Sequence, residues 1–199
     1  MKFKKTIFSS FEGRIAESFE FIKYSKNFIY FIIGIFFFFS FLGFFIPFPS
    51  EIQIQLLNYF RELAEKISSF NLVDLIVFIF ENNSSVSFMG LFLGIFFGIF
   101  PVLSAVINGF ILGFAANLSV SSEGVISLLR LFPHGIFELP AIFISLGLGV
   151  KLSTFVIKKE KAKIFKEYFE KSFYVFLLIV IPLLVLAAII EGVCIFLRV

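Results

Sequence analysis

The sequence predicts an all-α protein, a polytopic helical membrane bundle of about five transmembrane segments. Three observations predict it. Hydrophobic residues make up 59% of the 199-residue chain, against roughly 45–50% in soluble domains, and mean hydropathy is +1.04. The apolar residues gather into runs long enough to cross a hydrocarbon core. Basic residues cluster at the N-terminus and between residues 151 and 172, which sets the parity of the crossings. The single cysteine, Cys194, can form no internal disulfide. The 35 Phe and the absence of Trp read as Phe standing where other chains use Leu.

Residues 1–26 form a separate cytoplasmic segment, and 27–199 one membrane domain. The first carries Lys2, Lys4, Lys5, Arg14, Lys23 and Lys26, with Phe8, Phe11, Ile15, Phe19 and Ile22 at helical spacing. That pattern predicts an amphipathic helix on the membrane surface, a juxtamembrane anchor rather than a nucleic-acid binder. The span 27–46 follows and ends at Pro47 and Pro49. No small-residue cleavage site follows it, so it reads as a retained span and not a signal peptide.

Ser50 with Gln53, then Asn71 with Asp74, look like two helix starts. The stripe Ile52, Leu56, Phe60, Leu63, Ile67 and Phe70 lies between them. Residues 51–80 are therefore expected as two short external interfacial helices. They either present a surface to partners or pack back on the spans. Residues 86–118 are too long for one span, about 50 Å at 1.5 Å per residue. Pro101 divides them into 86–100 and 101–118, as two spans or a re-entrant hairpin. A span at 134–157, a basic elbow at 158–172 and a last span at 173–197 complete the chain.

Residues 151–172 hold Lys151, Lys158, Lys159, Lys161, Lys163, Lys166 and Lys171, whereas 47–85 hold only Arg61 and Lys66. The positive-inside rule then puts the N-terminus and 151–172 in the cytoplasm, 47–85 outside and the C-terminus outside. Localisation is thus the cell membrane, multi-pass.

Small residues recur every four positions in three segments: Gly90, Gly94 and Gly98; Ala105, Gly109 and Gly113; Ala141, Ser145 and Gly149. Such stripes let helix backbones approach closely in lipid. Spacing is compatible with contacts within one chain or between copies, so a homo-oligomer stays open.

Four polar residues interrupt the apolar runs. His134, the only histidine, lies four residues before Glu138, at the head of the Ala141 stripe. If one helix runs through Pro140, both share that stripe's face; if the helix begins at Pro140, they sit in a loop. Asn108 lies beside the Ala105–Gly109 stripe, and Glu191 sits near the end of the last run. Ionisable groups in spans are costly and mark candidate sites. Asn108, His134, Glu138 and Glu191 are therefore the candidate binding cluster.

The tract Gly94-Ile95-Phe96-Phe97-Gly98, the Asn108-Gly109 pair with Gly113, the string Pro133-His134-Gly135-Ile136-Phe137-Glu138 and the closing Glu191 together resemble the stage II sporulation protein M family. The resemblance is sharpest over 90–150. It implies an integral membrane scaffold or anchoring subunit of the kind that organises peptidoglycan-degrading enzymes during spore engulfment. Nothing else in the chain is particular to sporulation.

Three kinds of function are conceivable for such a chain. A scaffold would hold membrane or cell-envelope proteins, with the bilayer as its other partner. A transporter or channel component would use the buried polar residues. An enzyme lacks support, because one His cannot supply a usual zinc set and Ser104, Ser127 and Ser145 have no nucleophile-elbow context. No cofactor, metal or nucleic acid is expected.

Overall fold

The computed structural model describes residues 2–47 and 49–197, with side chains described for 11–47, 49–128 and 135–197. These residues are all-α. The α-helices are α1 (Lys2–Phe45), α2 (Ser50–Ser68), α3 (Leu72–Phe92), α4 (Ile99–Glu123), α5 (Phe132–Ser153), α6 (Lys161–Val175) and α7 (Ile181–Leu197). Five stretches are long and apolar enough to cross a membrane: Phe11–Phe45, Leu72–Ile95, Ile99–Glu123, Gly135–Ile157 and Lys161–Leu197. The chain is a multi-pass membrane protein.

The central helix is α5, packed against α1, α3, α4, α6 and α7. One long seam joins α1 to α4, and another joins α3 to α7. At one end of the bundle, here the basic end, lie the α3–α4 turn, the 3-10 turn Thr154–Ile157 and α6. At the far end lie α2, the start of α3 and the end of α7.

Five expectations change. No helix break separates residues 2–26 from the first span, because α1 runs unbroken for 44 residues. Its buried face, Ser18, Phe21, Ser25, Ile29, Ile32 and Phe36, passes from the amphipathic part into the span. Phe11 and Phe19, from the expected stripe, are exposed, and the side chain of Phe8 lies outside the described residues.

Ser50 does not cap α2. The N-cap is Pro49, with no side-chain bond, and Ser50 is already helical. The Asn71 capping box is present: Asn71 Oδ1 accepts from the N–H groups of Val73 at 2.9 Å and Asp74 at 3.0 Å. It opens a span, however, and not a short external helix. Residues 72–80 are the first half of α3, which continues through Glu81-Asn82-Asn83-Ser84-Ser85.

The chain reverses at Gly94–Gly98 and not at Pro101. Phe97 (φ 57°) and Gly98 (φ 71°) are both left-handed there, a conformation glycine adopts without steric cost. Gly98 N-caps α4, so it belongs to a turn and leaves the predicted helical stripe. Pro101 falls in the first turn of α4, where helices tolerate proline. The two pieces, 24 and 25 residues long, are therefore full-length and not a re-entrant hairpin. Gly98→Ala is expected to cost about 1–2 kcal/mol through its left-handed backbone, read as a lower unfolding midpoint in detergent.

The helix that carries the last span starts earlier than residue 173. Residues 161–197 form one continuous helical stretch, relaxed by a π turn at Phe176–Val180 just before Pro182. Proline removes a helical N–H, and the wider turn absorbs the mismatch.

All three small-residue stripes meet partners inside the chain. Gly90 and Gly94 pack on Leu146 and Gly149 of α5. Gly109 and Gly113 pack on the α1 backbone at Phe36 and Ser40. Ser145, in the third stripe, donates 2.7 Å to the Ser87 carbonyl of α3. Asn117 of α4 likewise donates 2.9 Å to the Phe44 carbonyl of α1.

Candidate functional site

Helix α5 runs through Pro140, whose side is exposed, so residues 138, 141, 145 and 149 keep one face. Ala141 and Ser145 on that face are fully buried. Glu138 therefore heads the seam that meets α3. Small residues bring α7 close as well: Ala187, Ala188 and Gly192 are buried, and Gly192 lies against Ile76 of α3. The approach of α7 carries Glu191 to Glu138.

The Glu138 side chain hydrogen-bonds with those of Glu191 and Asn83. Asn82 Nδ2 donates to Asn83 Oδ1 at 3.4 Å. A polar chain thus crosses three spans, from Asn82 and Asn83 on α3 through Glu138 on α5 to Glu191 on α7. Buried polar groups persist in membranes where such partners satisfy them. The chain opens into a cleft of about 220 Å³ at the far end, whose other walls include Leu63 and Ile67 of α2.

Of the four sequence candidates, Glu138 and Glu191 come together. Asn108 does not join them. It donates to Ser104 of its own helix, 2.8 Å to the carbonyl and 3.3 Å to the hydroxyl. His134 is helical in α5, but its side chain lies outside the described residues. Asn82 and Asn83 escaped the sequence reading because the run 81–85 looks like a loop. The signal that finds them is their position within a capped run starting at Asn71, although the most apolar window of that span has a mean hydropathy of only 1.4.

Removing the Glu138 carboxyl strands two partners. Glu138→Leu is expected to cost about 1–2 kcal/mol, more than the ~0.6 kcal/mol average of one interhelical bond in a membrane. Glu138→Gln keeps a donor and an acceptor and should cost less. Denaturant titrations in detergent micelles rank the two, and equal losses would contradict the hydrogen-bonded chain.

A second polar constellation sits at the basic end. Lys151 is 4% exposed, enclosed by aromatic rings from α1 and α6. Its Nζ lies 3.8 Å from the Tyr24 ring centroid, 4.7 Å from Tyr168, 5.3 Å from Phe28 and 5.8 Å from Phe21. The Tyr24 and Tyr168 side chains hydrogen-bond to each other. In sequence, Lys151 is one of seven lysines in a basic segment, and nothing marks it as the buried one. Nearby, the Arg14 guanidinium stacks 4.0 Å from the Tyr174 ring, tying α1 to α6.

Among the described residues no three His, Cys, Asp or Glu side chains are grouped to hold a metal ion.

Comparison with curated proteins finds no match, and neither does comparison with solved structures. The family model described as Stage II sporulation protein M matches residues 28–194, which takes in the polar chain, Lys151 and most of the five spans, while Phe21 and Tyr24 of the cage precede it. With most of its length matched, the chain belongs to the stage II sporulation protein M family.

Proposed function

We propose that the protein is a non-catalytic membrane scaffold that anchors cell-envelope proteins, cell-wall hydrolases among them, at its far end. The observation that carries this reading is α2. It is a 19-residue amphipathic helix with no buried residue, held beside a tightly packed bundle. Its stripe leans on the spans, with Phe60 stacked 6.2 Å from Phe114. Its opposite side leaves Ile54, Leu57, Arg61 and Glu65 exposed, a mixed apolar and charged surface of the sort that partner helices recognise. The lysines of 158–171 and the N-terminal basic residues belong on the cytoplasmic side, which puts α2 and the C-terminus outside, toward the wall.

Crosslinking followed by pull-down from the native membrane tests the reading. Defined envelope partners should co-purify, survive His134→Ala, and be lost on Ile54→Asp/Leu57→Asp. Partners retained at full yield by the Asp variant would remove α2 as the docking element.

The polar chain favours a second reading, a transporter or channel component. Two carboxyls in contact can take up and release a proton, and such pairs line ion paths in membranes. Proteoliposomes should then show a pH-dependent flux abolished by Glu138→Gln. Flux no greater than that of empty vesicles would dismiss this reading.

A further inference from the structure

We propose that α2 is a hinged lid over the Glu138–Glu191 cleft, controlling access to the carboxyl pair from the far side of the membrane. The inference holds for a scaffold and for a transport component alike. Leu63 and Ile67 of α2 line the same cleft as Asn83, Glu138 and Glu191. They are the part of its apolar wall that α2 contributes.

Among the described residues, α2 alone of the α-helices has no buried side chain. Beside Leu63 and Ile67, ring contacts hold it to the bundle at mid-helix and around its C-terminal end. Phe60 stacks on Phe114, Lys66 Nζ lies 4.7 Å over the Phe78 ring, and Phe70 meets Phe78 edge-on at 5.7 Å. Segments with few buried apolar contacts open at low free energy, ahead of the global fold.

Both ends permit movement. Pro47 and Pro49 separate α2 from α1, and proline there denies the connection a continuous helical hydrogen-bond ladder. On the other side, α3 begins with its own complete capping box at Asn71, so it does not need α2 to hold its first turn. Bending at Pro47 and Pro49 and at residues 69–70 would swing α2 as a unit, lifting Leu63 and Ile67 together. In the closed state the carboxyls lie against apolar cover. In the open state water reaches them.

Carboxyl labelling of the full chain in detergent micelles tests this. A water-soluble carbodiimide with an amine nucleophile modifies accessible Glu side chains, read site by site by mass spectrometry, with exposed Glu65 as reference. In a Cys194→Ser background, Leu63→Cys and Ile195→Cys joined by a short thiol-specific linker hold the lid down. Leu63→Ala/Ile67→Ala loosens it. Labelling of Glu138 and Glu191 relative to Glu65 should fall several-fold in the linked protein and rise several-fold in the Ala pair. Labelling unchanged across native, linked and loosened proteins overturns the lid. Should the linker fail to close, the Ala pair decides alone, together with hydrogen exchange. Amides of α2 that exchange as slowly as those of α3 also overturn it.

Discussion

Gly149→Leu is expected to destabilise the bundle by about 3 kcal/mol or more. A Cβ on Gly149 would run into the backbone carbonyl of Gly90 and lie 3.2 Å from the Leu91 Cα. The reciprocal Cβ on Gly94 would lie 2.6 Å from the Gly149 Cα. Backbone, unlike a flexible side chain, cannot turn aside, so α3 and α5 must separate along the seam. That separation also strains the Ser145–Ser87 hydrogen bond and pulls Glu138 from Asn83. The internal control is Gly34, which has nothing within 4 Å of its Cβ position. Gly34→Ala should be neutral or stabilising by up to about 1 kcal/mol. Unfolding midpoints in detergent check both. If the seams joined separate copies, Gly149→Leu would instead change the oligomeric state and leave the monomer's midpoint in place.

Lys151 carries the second large effect. Its ammonium faces π clouds on several sides inside the junction of α1, α5 and α6. A desolvated cation–π contact contributes about 2 kcal/mol or more, and several rings share this cation. Lys151→Met keeps the stem's packing but removes the charge, so it should cost about 2 kcal/mol. Lys151→Glu should cost more, because it turns a negative group toward the negative faces of the rings. Lys151→Arg should come closest to the native protein, since guanidinium stacks on aromatic faces. The chain has no Trp and five Tyr, so tyrosine emission, to which Tyr24 and Tyr168 of the cage contribute, follows the junction once Tyr30, Tyr59 and Tyr174 are replaced by Phe, while the midpoint is measured. Equal stability of the Met and Glu variants would show that the rings hold the stem and not the charge.

Much of this architecture is legible in the sequence, and specific residues show where legibility stops. Run length and composition lead to a five-span helical protein, and the motif from Pro133 to Glu138, with the Gly94, Asn108 and Glu191 tracts, leads to the family. Span limits are less legible. Glu81-Asn82-Asn83-Ser84-Ser85 has the polarity of a loop, yet α3 carries it, because Asn83 finds Glu138 and its helix neighbour Asn82. Pro101 carries the composition of a break, yet the reversal falls at Gly94–Gly98, where the backbone turns left-handed and proline is left to start the next helix.

What the sequence by itself determined is local: which stretches are apolar enough to cross, which helix faces are narrow, which connections are basic, and which motif they carry. These follow from side-chain chemistry read at a helical period. Only the tertiary structure decided which narrow face meets which, that Glu138 pairs with Glu191 and Asn83 while Asn108 stays with Ser104, and that Lys151 alone among its neighbouring lysines is enclosed. In lipid, one apolar face gains little over another by burial. Partner choice therefore rests on backbone clearance and on a few polar contacts between residues far apart in the chain, and no local period encodes those.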